Sequence, residues 1–163
     1  MEFEQILREA NAHYGQEIFV LDEQNSCAAT VGDGLIVEIL YVPEVGRVVL
    51  YADIGAEPPS DRDRVYRLML QAQYMFKATA GATFALDGDS GAVYLEKPES
   101  LATMTPESFI TSFETFADVA NKWREILSGF VPLAEEIGDL ERKAEAAERL
   151  ERRDSERNGF LKV

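Results

Sequence analysis

The stretch Leu35-Ile36-Val37-Glu38-Ile39-Leu40-Tyr41-Val42, then Pro43-Glu44-Val45-Gly46, then Arg47-Val48-Val49-Leu50-Tyr51-Ala52-Asp53-Ile54 decides the fold. Two runs rich in β-branched and aromatic residues flank a connector with Pro and Gly where a turn wants them, which predicts an antiparallel hairpin. Alternation puts Val37, Ile39 and Tyr41 on one face of the first strand, while Ile36, Leu40 and Val42 keep the other face largely apolar. Both faces of this hairpin therefore ask for cover.

Upstream, Phe3, Ile6, Leu7, Ala10 and Tyr14 recur at three and four residues, predicting a helix over 2–14 that Gly15 stops. Ile18-Phe19-Val20-Leu21 and Cys27-Ala28-Ala29-Thr30-Val31 are short β-prone pieces separated by the polar Asp22-Glu23-Gln24-Asn25, and Gly32-Asp33-Gly34 marks a tight turn before the hairpin. Downstream, Gly55 to Pro59 breaks the sheet, and Ser60 is placed to cap a helix to about Lys77, with Asp61 and Asp63 at its positive end. Val65, Leu68, Met69, Ala72, Met75 and Phe76 form its expected core stripe. At about 100° per residue, Tyr66, Leu70 and Tyr74 fall together on the opposite side, so they are assigned to an interface between two copies of the chain. The competing reading is that a loop or the C-terminal tail of the same chain covers them.

Thr83 to Asp87 and Ala92 to Glu96, around Gly88-Asp89-Ser90-Gly91, predict a second hairpin. Thr105-Pro106-Glu107 is a helix start, followed by the stripe Phe109, Phe113, Phe116, Ala120, Trp123 and Leu127. From Pro132 the composition turns to Glu, Arg and Ala with a thin seam of Leu133, Ile137, Leu140, Ala144 and Ala147. The chain thus divides into a domain over 1–131 and a charged helical tail over 132–163. The order helix, three or more strands, helix, two strands, helix predicts the α+β class, with three helices packed on a mainly antiparallel sheet.

The chain has 163 residues, with 30 Asp and Glu against 16 Lys and Arg, a formal net charge of −14. Nine acids and seven bases fall after residue 134, so the acidity belongs to the domain, with 21 acids and nine bases. Such a surface repels phosphate backbones and anionic lipid, which excludes nucleic acid and membrane as partners. At 46% hydrophobic residues the chain has ample material for a core. No run approaches the roughly 18 apolar residues a membrane span needs. The start of the chain is acidic where a secretory signal is basic, and the single Cys27 allows no internal disulfide, so a cytoplasmic location is expected.

Gly88-Asp89-Ser90-Gly91 matches the short signature around a serine-protease nucleophile, but such a serine needs a base, and the only histidine, His13, sits at the end of the first helix. The turn reading of those four residues is preferred. Asp87, Asp89 and Gly91 start like a calcium loop whose fifth and twelfth positions are here Gly91 and Pro98, which donate no side-chain oxygen. Cys27, in an apolar strand, reads as a small buried hydrophobe. No phosphate loop, zinc framework or redox motif occurs, so no enzyme activity, metal or cofactor is expected.

Leu21-Asp22 leading to Cys27-Ala28, then Leu50-Tyr51-Ala52-Asp53-Ile54-Gly55, then Gly81 through Phe84-Ala85-Leu86-Asp87 to Val93-Tyr94-Leu95, and the closing aromatic stripe resemble the class I chaperones of bacterial type III secretion, the Tir-chaperone (CesT-like) family. The resemblance covers residues 1 to about 128. It implies a homodimer, each protomer a twisted sheet with three helices, that binds the N-terminal segment of a secretion effector without ATP and keeps it fit for export. The alternative it leaves is a regulatory or sensory binding protein of the same fold not tied to secretion. Holding an unfolded segment calls for apolar grooves and free sheet edges. Phe3, Leu7, Phe19, Leu21, Val31, Ile36 and Leu40 are the residues expected to contribute to such grooves, some of them being core instead. The tail from Pro132 departs from the family, whose members usually stop near the third helix.

Overall fold

The computed structural model describes residues 3–58 and 61–129, so the expectations for Ser60 as a cap and for the tail over 132–163 lie outside the described residues. The elements are α1 (Phe3–Tyr14), β1 (Ser26–Val31), β2 (Leu35–Val42), β3 (Arg47–Ala56), α2 (Arg62–Gln73), β4 (Thr83–Leu86) and β5 (Ala92–Ser100), followed by α3 at residues 106–129. The strands form one antiparallel sheet in the order β1-β2-β3-β5-β4. The predicted hairpin is its centre, with Glu38 opposite Tyr51 and Leu40 opposite Val49. Its connector is a 3-10 turn over Pro43–Val45, closed by Gly46 at φ +59°, a conformation that favours glycine. β5 continues past the expected Glu96 to Ser100, because it pairs with β3 as far as Arg47. Pro98 is tolerated there, since β4 pairs no further along β5 than Glu96 and leaves that stretch an edge.

One face of the sheet carries the core. Leu35, Val37, Ile39, Val48, Leu50, Ala52, Ile54, Val93 and Leu95 are almost fully buried under α1 and α3. Phe3 of α1 lies 5.3 Å from Tyr41 and 5.8 Å from Phe109, and Trp123 of α3 packs edge-on to Phe84 at 4.7 Å between ring centroids. Each such large side chain contributes about 1.5–3 kcal/mol by leaving water. α3 begins with a reciprocal cap: Ser108 N–H donates to Thr105 Oγ1 at 3.2 Å, and Thr105 N–H donates to Ser108 Oγ at 2.8 Å. All six residues of its predicted stripe are buried.

Three expectations are corrected. The opposite face of the central hairpin is not covered: Ile36, Leu40, Val42, Val49 and Tyr51 all stay half-buried or exposed. Ile18 to Leu21 belongs to no strand. The Asn11 side chain substitutes for one, its Oδ1 accepting the N–H groups of Ile18 and Phe19 at 2.8 Å each while Nδ2 donates to the Phe19 carbonyl at 2.9 Å. Finally, α2 ends at Gln73, and Met75 and Phe76 adopt φ +55° and +54°, so they turn outward, 72% and 51% exposed, instead of completing the core stripe. Left-handed backbone at such residues costs roughly 1–2 kcal/mol apiece. The turn is held by ties to other elements, since Trp123 Nε1 donates to the Ala78 carbonyl at 2.9 Å and Phe84 N–H donates to Gln73 Oε1 at 2.8 Å.

Candidate functional site

Two open apolar regions lie at the two ends of the sheet order. At the β4 end, Leu70 on α2 and Tyr74 just after it are each 68% exposed, and Met75, Phe76 and Leu86 are exposed apolar residues as well. A groove of about 360 Å³ runs between α2 and β4, lined by Tyr66, Met69, Leu70, Phe84, Leu86 and Val93. The structure thus brings Tyr66, Leu70 and Tyr74 onto one side of α2, but unequally. Tyr66 is half-buried against the core, and its hydroxyl donates to the Glu57 carboxylate, which also pairs with Arg62 at 3.1 Å. That bond is the main cause raising the Tyr66 phenol pKa.

At the other end β1 is an edge strand, paired only with β2 among the described residues. Between it, the end of α1 and α3 lies a groove of about 350 Å³. Phe113 and Ala117 of α3 are nearly buried beneath it, Ile18 and Val31 are half-buried, and Glu114 and Asp118 stand exposed beside it. Tyr14 donates to the Glu114 carboxylate at 3.0 Å. Burial, then that bond and the charge of Glu114, push the Tyr14 phenol up to about 12.

The residues expected in effector-binding grooves separate into two groups. Phe3, Leu7 and Phe19 are 1–3% exposed and belong to the core, Leu7 and Phe19 also reaching the wall of a groove beside α1. Leu21, Val31 and Leu40 are half-buried, and Ile36 is 54% exposed. Val20, Met75, Phe76 and Leu86 are exposed apolar residues that the sequence reading did not single out for binding. For Val20 the signal was present, as alternation with the buried Phe19 puts it outside. For Met75 and Phe76 there was none, because the helical pattern runs through them without a breaker.

The residues with reactive side chains are absorbed by structure. Ser90 Oγ donates to the Asp87 carboxylate at 2.5 Å and accepts the Ala92 N–H at 3.2 Å, closing the β4–β5 turn. The Ser90 bond is also the first cause lowering the Asp87 pKa. Cys27 is buried, and burial followed by the charge of Asp22 pushes its thiol up to about 11, which leaves little thiolate near neutrality. Lys97, Glu99 and Ser112 form a closed, half-buried set between β5 and α3: Lys97 Nζ lies 2.9 Å from Glu99 and donates to Ser112 at 2.7 Å, and Ser112 donates to Glu99. Among the described residues no helix is long and apolar enough to cross a membrane.

The described residues form a one-sided α+β layer with apolar grooves at both ends of its sheet. The Tir chaperone protein (CesT) family model matches residues 5–124, and the chain belongs to that chaperone family. Its fold is similar to that in the ExsC–ExsE complex, with a TM-score of 0.65 at 21% identity over 77% of this chain and 92% of that one. It is likewise similar to the HopA1–SchA chaperone–effector complex, with a TM-score of 0.63 at 15% identity over 76% and 93% of the two chains. The Yersinia pestis type III secretion chaperone SycH, in complex with a stable fragment of YscM2, gives 0.60 at 16% identity over 75% and 99%. Among curated proteins none matches this chain by sequence.

Proposed function

We propose that this chain is a type III secretion chaperone that binds the N-terminal segment of one effector and keeps it competent for export. The observation that carries the reading is the match to the Tir chaperone family over residues 5–124, on a fold shared with chaperone–effector complexes. The surface supports it. An unfolded segment is held by main-chain bonds to a sheet edge and by apolar side chains entering grooves, and β1 with its neighbouring groove offers both, with Val31 in the groove and the exposed Ile36 on the adjoining strand. Binding here is stoichiometric, without turnover or ATP, and takes place in the bacterial cytoplasm.

The active form is a homodimer joined through the α2–β4 face. Leu70 and Tyr74 at 68% exposure, with Met75, Phe76 and Leu86, make an apolar patch whose self-burial about a two-fold axis removes it from water. Residues 1–131 are the folding unit, so a chain lacking 132–163 is expected to melt as cooperatively as the full chain. Loss of folding in that truncation would move the boundary.

The function is tested by co-expressing the chain with the product of the neighbouring reading frame and digesting the purified complex with protease. Protection of that product's N-terminal segment is expected. A partner digested as fast with the chain as without it, or a turnover abolished by one substitution, overturns the reading.

A further inference from the structure

The groove beside β1 carries information about what it takes. Its floor is apolar, made by Phe113 and Ala117 of α3 with Ile18 and Val31, and one wall is the edge of β1 at Ala29 to Val31 that pairs with no strand among the described residues. Its rim is anionic. Glu114 and Asp118 stand one turn apart on α3, both exposed, and the Tyr14 hydroxyl holds one Glu114 oxygen at 3.0 Å. Among the described residues no Lys, Arg or His lines the groove.

These features choose among occupants. A second copy of the domain would bring more negative charge, since residues 1–134 hold 21 acids against nine bases. An extended segment laid along β1 points alternate side chains to the same side, about 6.5–7 Å apart. One of these can enter the apolar floor while the next reaches the carboxylates, and only a cation gains there. We infer that the β1–α3 groove selects an extended effector segment carrying a Lys or Arg two positions from an apolar side chain, with Glu114 and Asp118 as the residues that determine this specificity. The inference rests on the effector-binding reading above and adds the chemistry of the segment.

The test uses the full chain and two labelled synthetic octapeptides of alternating Thr and Val, one with Lys and the other with Glu at a central Val position, so that the residues two positions away are Val, followed by fluorescence anisotropy. The Lys peptide is expected to bind about tenfold more tightly, as two exposed charge pairs allow, and the preference is expected to shrink as salt rises. The double variant Glu114→Lys, Asp118→Lys is expected to reverse the order of the two peptides. Both side chains are exposed, so the variant is expected to melt cooperatively, lowered only by the loss of the Tyr14–Glu114 bond, which verifies that it folds. Glu114→Gln is the milder second variant, expected to reduce the preference without reversing it. Equal binding of the two peptides to the parent, or the same ranking in parent and double variant, overturns the inference. Failure of the chaperone reading shows separately, as an effector N-terminal segment left unprotected from protease, a measurement in which neither peptide takes part.

Discussion

Helices α2 and α3 both touch the hydrophobic core, but one is built into it and the other is laid across its edge. α3 starts from the reciprocal Thr105–Ser108 cap and sends Phe109, Phe113, Phe116, Ala120, Trp123 and Leu127 into the interior. α2 starts at Asp61 with φ +59° and no side-chain cap, buries only Val65 and Met69, and is followed by a turn in which Met75 and Phe76 are directed to solvent by positive φ. The difference teaches what each helix is for. α3 spends its apolar residues on stability, whereas α2 keeps part of its own on display, at a cost in backbone strain, where a partner surface can use them.

The largest effect that distinguishes the two helices is expected from Phe116→Ala. Removing a ring that is 1% exposed leaves a cavity and costs about 3–5 kcal/mol in denaturant unfolding. A loss under about 1 kcal/mol would show that α3 is not the core helix.

Leu70→Glu is the counterpart on α2. The monomer's stability is expected to change by no more than about 0.5 kcal/mol, because Leu70 is 68% exposed, while the dimer is weakened by about 2 kcal/mol or more. Sedimentation reads the second quantity and thermal melting the first. A full-strength dimer in this variant refutes the placement of the interface.

The helix starts differ by less. Thr105→Ala is expected to cost about 1 kcal/mol, since a backbone N–H of α3 loses its acceptor, and Asp61→Ala much less, since no side-chain cap bond is lost. Equal costs in chemical denaturation would erase this contrast.

The smallest effect concerns the contact of α3 with α1. The Tyr14 phenol is pushed from its ordinary 10 up to about 12, chiefly by burial and then by Glu114. A raised folded pKa means that the linked stability is fully present below pH 10 and is lost as pH climbs from 10 towards about 12. Tyr51 behaves alike, raised to about 12 by burial and then by its bond to Glu38. Absorbance titration at alkaline pH is expected to show Tyr14, Tyr51 and Tyr66 titrating late, with the Tyr14 phenol moving part of the way down in Glu114→Ala because its burial remains. Six tyrosines titrating together near pH 10 would contradict both contacts.

Much of the architecture was legible because its signals are local. The hairpin over Leu35–Ala56, the start of α3 at Pro106 and the helix ending at Tyr14 follow from alternation, capping residues and helical spacing, and each stands within about two residues of its expected limits. The site was harder to read. Phe3, Leu7, Phe19, Leu21, Val31, Ile36 and Leu40 are equally apolar in sequence, and nothing in their own neighbourhoods separates the buried first three from the four that reach the surface. Asn11 was missed for the same reason, since an asparagine in a helix carries no sign that it will bind a segment seven and eight residues on.

By itself, then, the sequence determined the class of the fold, the order of its elements, the acidity of the domain and the aromatic stripe of α3, because each rests on residues a few positions apart acting through backbone geometry and charge. The tertiary structure alone decided that α2 stops at Gln73, that one face of the central hairpin stays open, and that Glu114 and Asp118 flank an apolar groove beside a free strand edge. Those outcomes depend on Trp123 reaching Ala78, on Phe84 reaching Gln73 and on α3 lying across the end of β1. They are contacts between residues far apart in the chain, whose energies exceed the local helix and strand preferences they override.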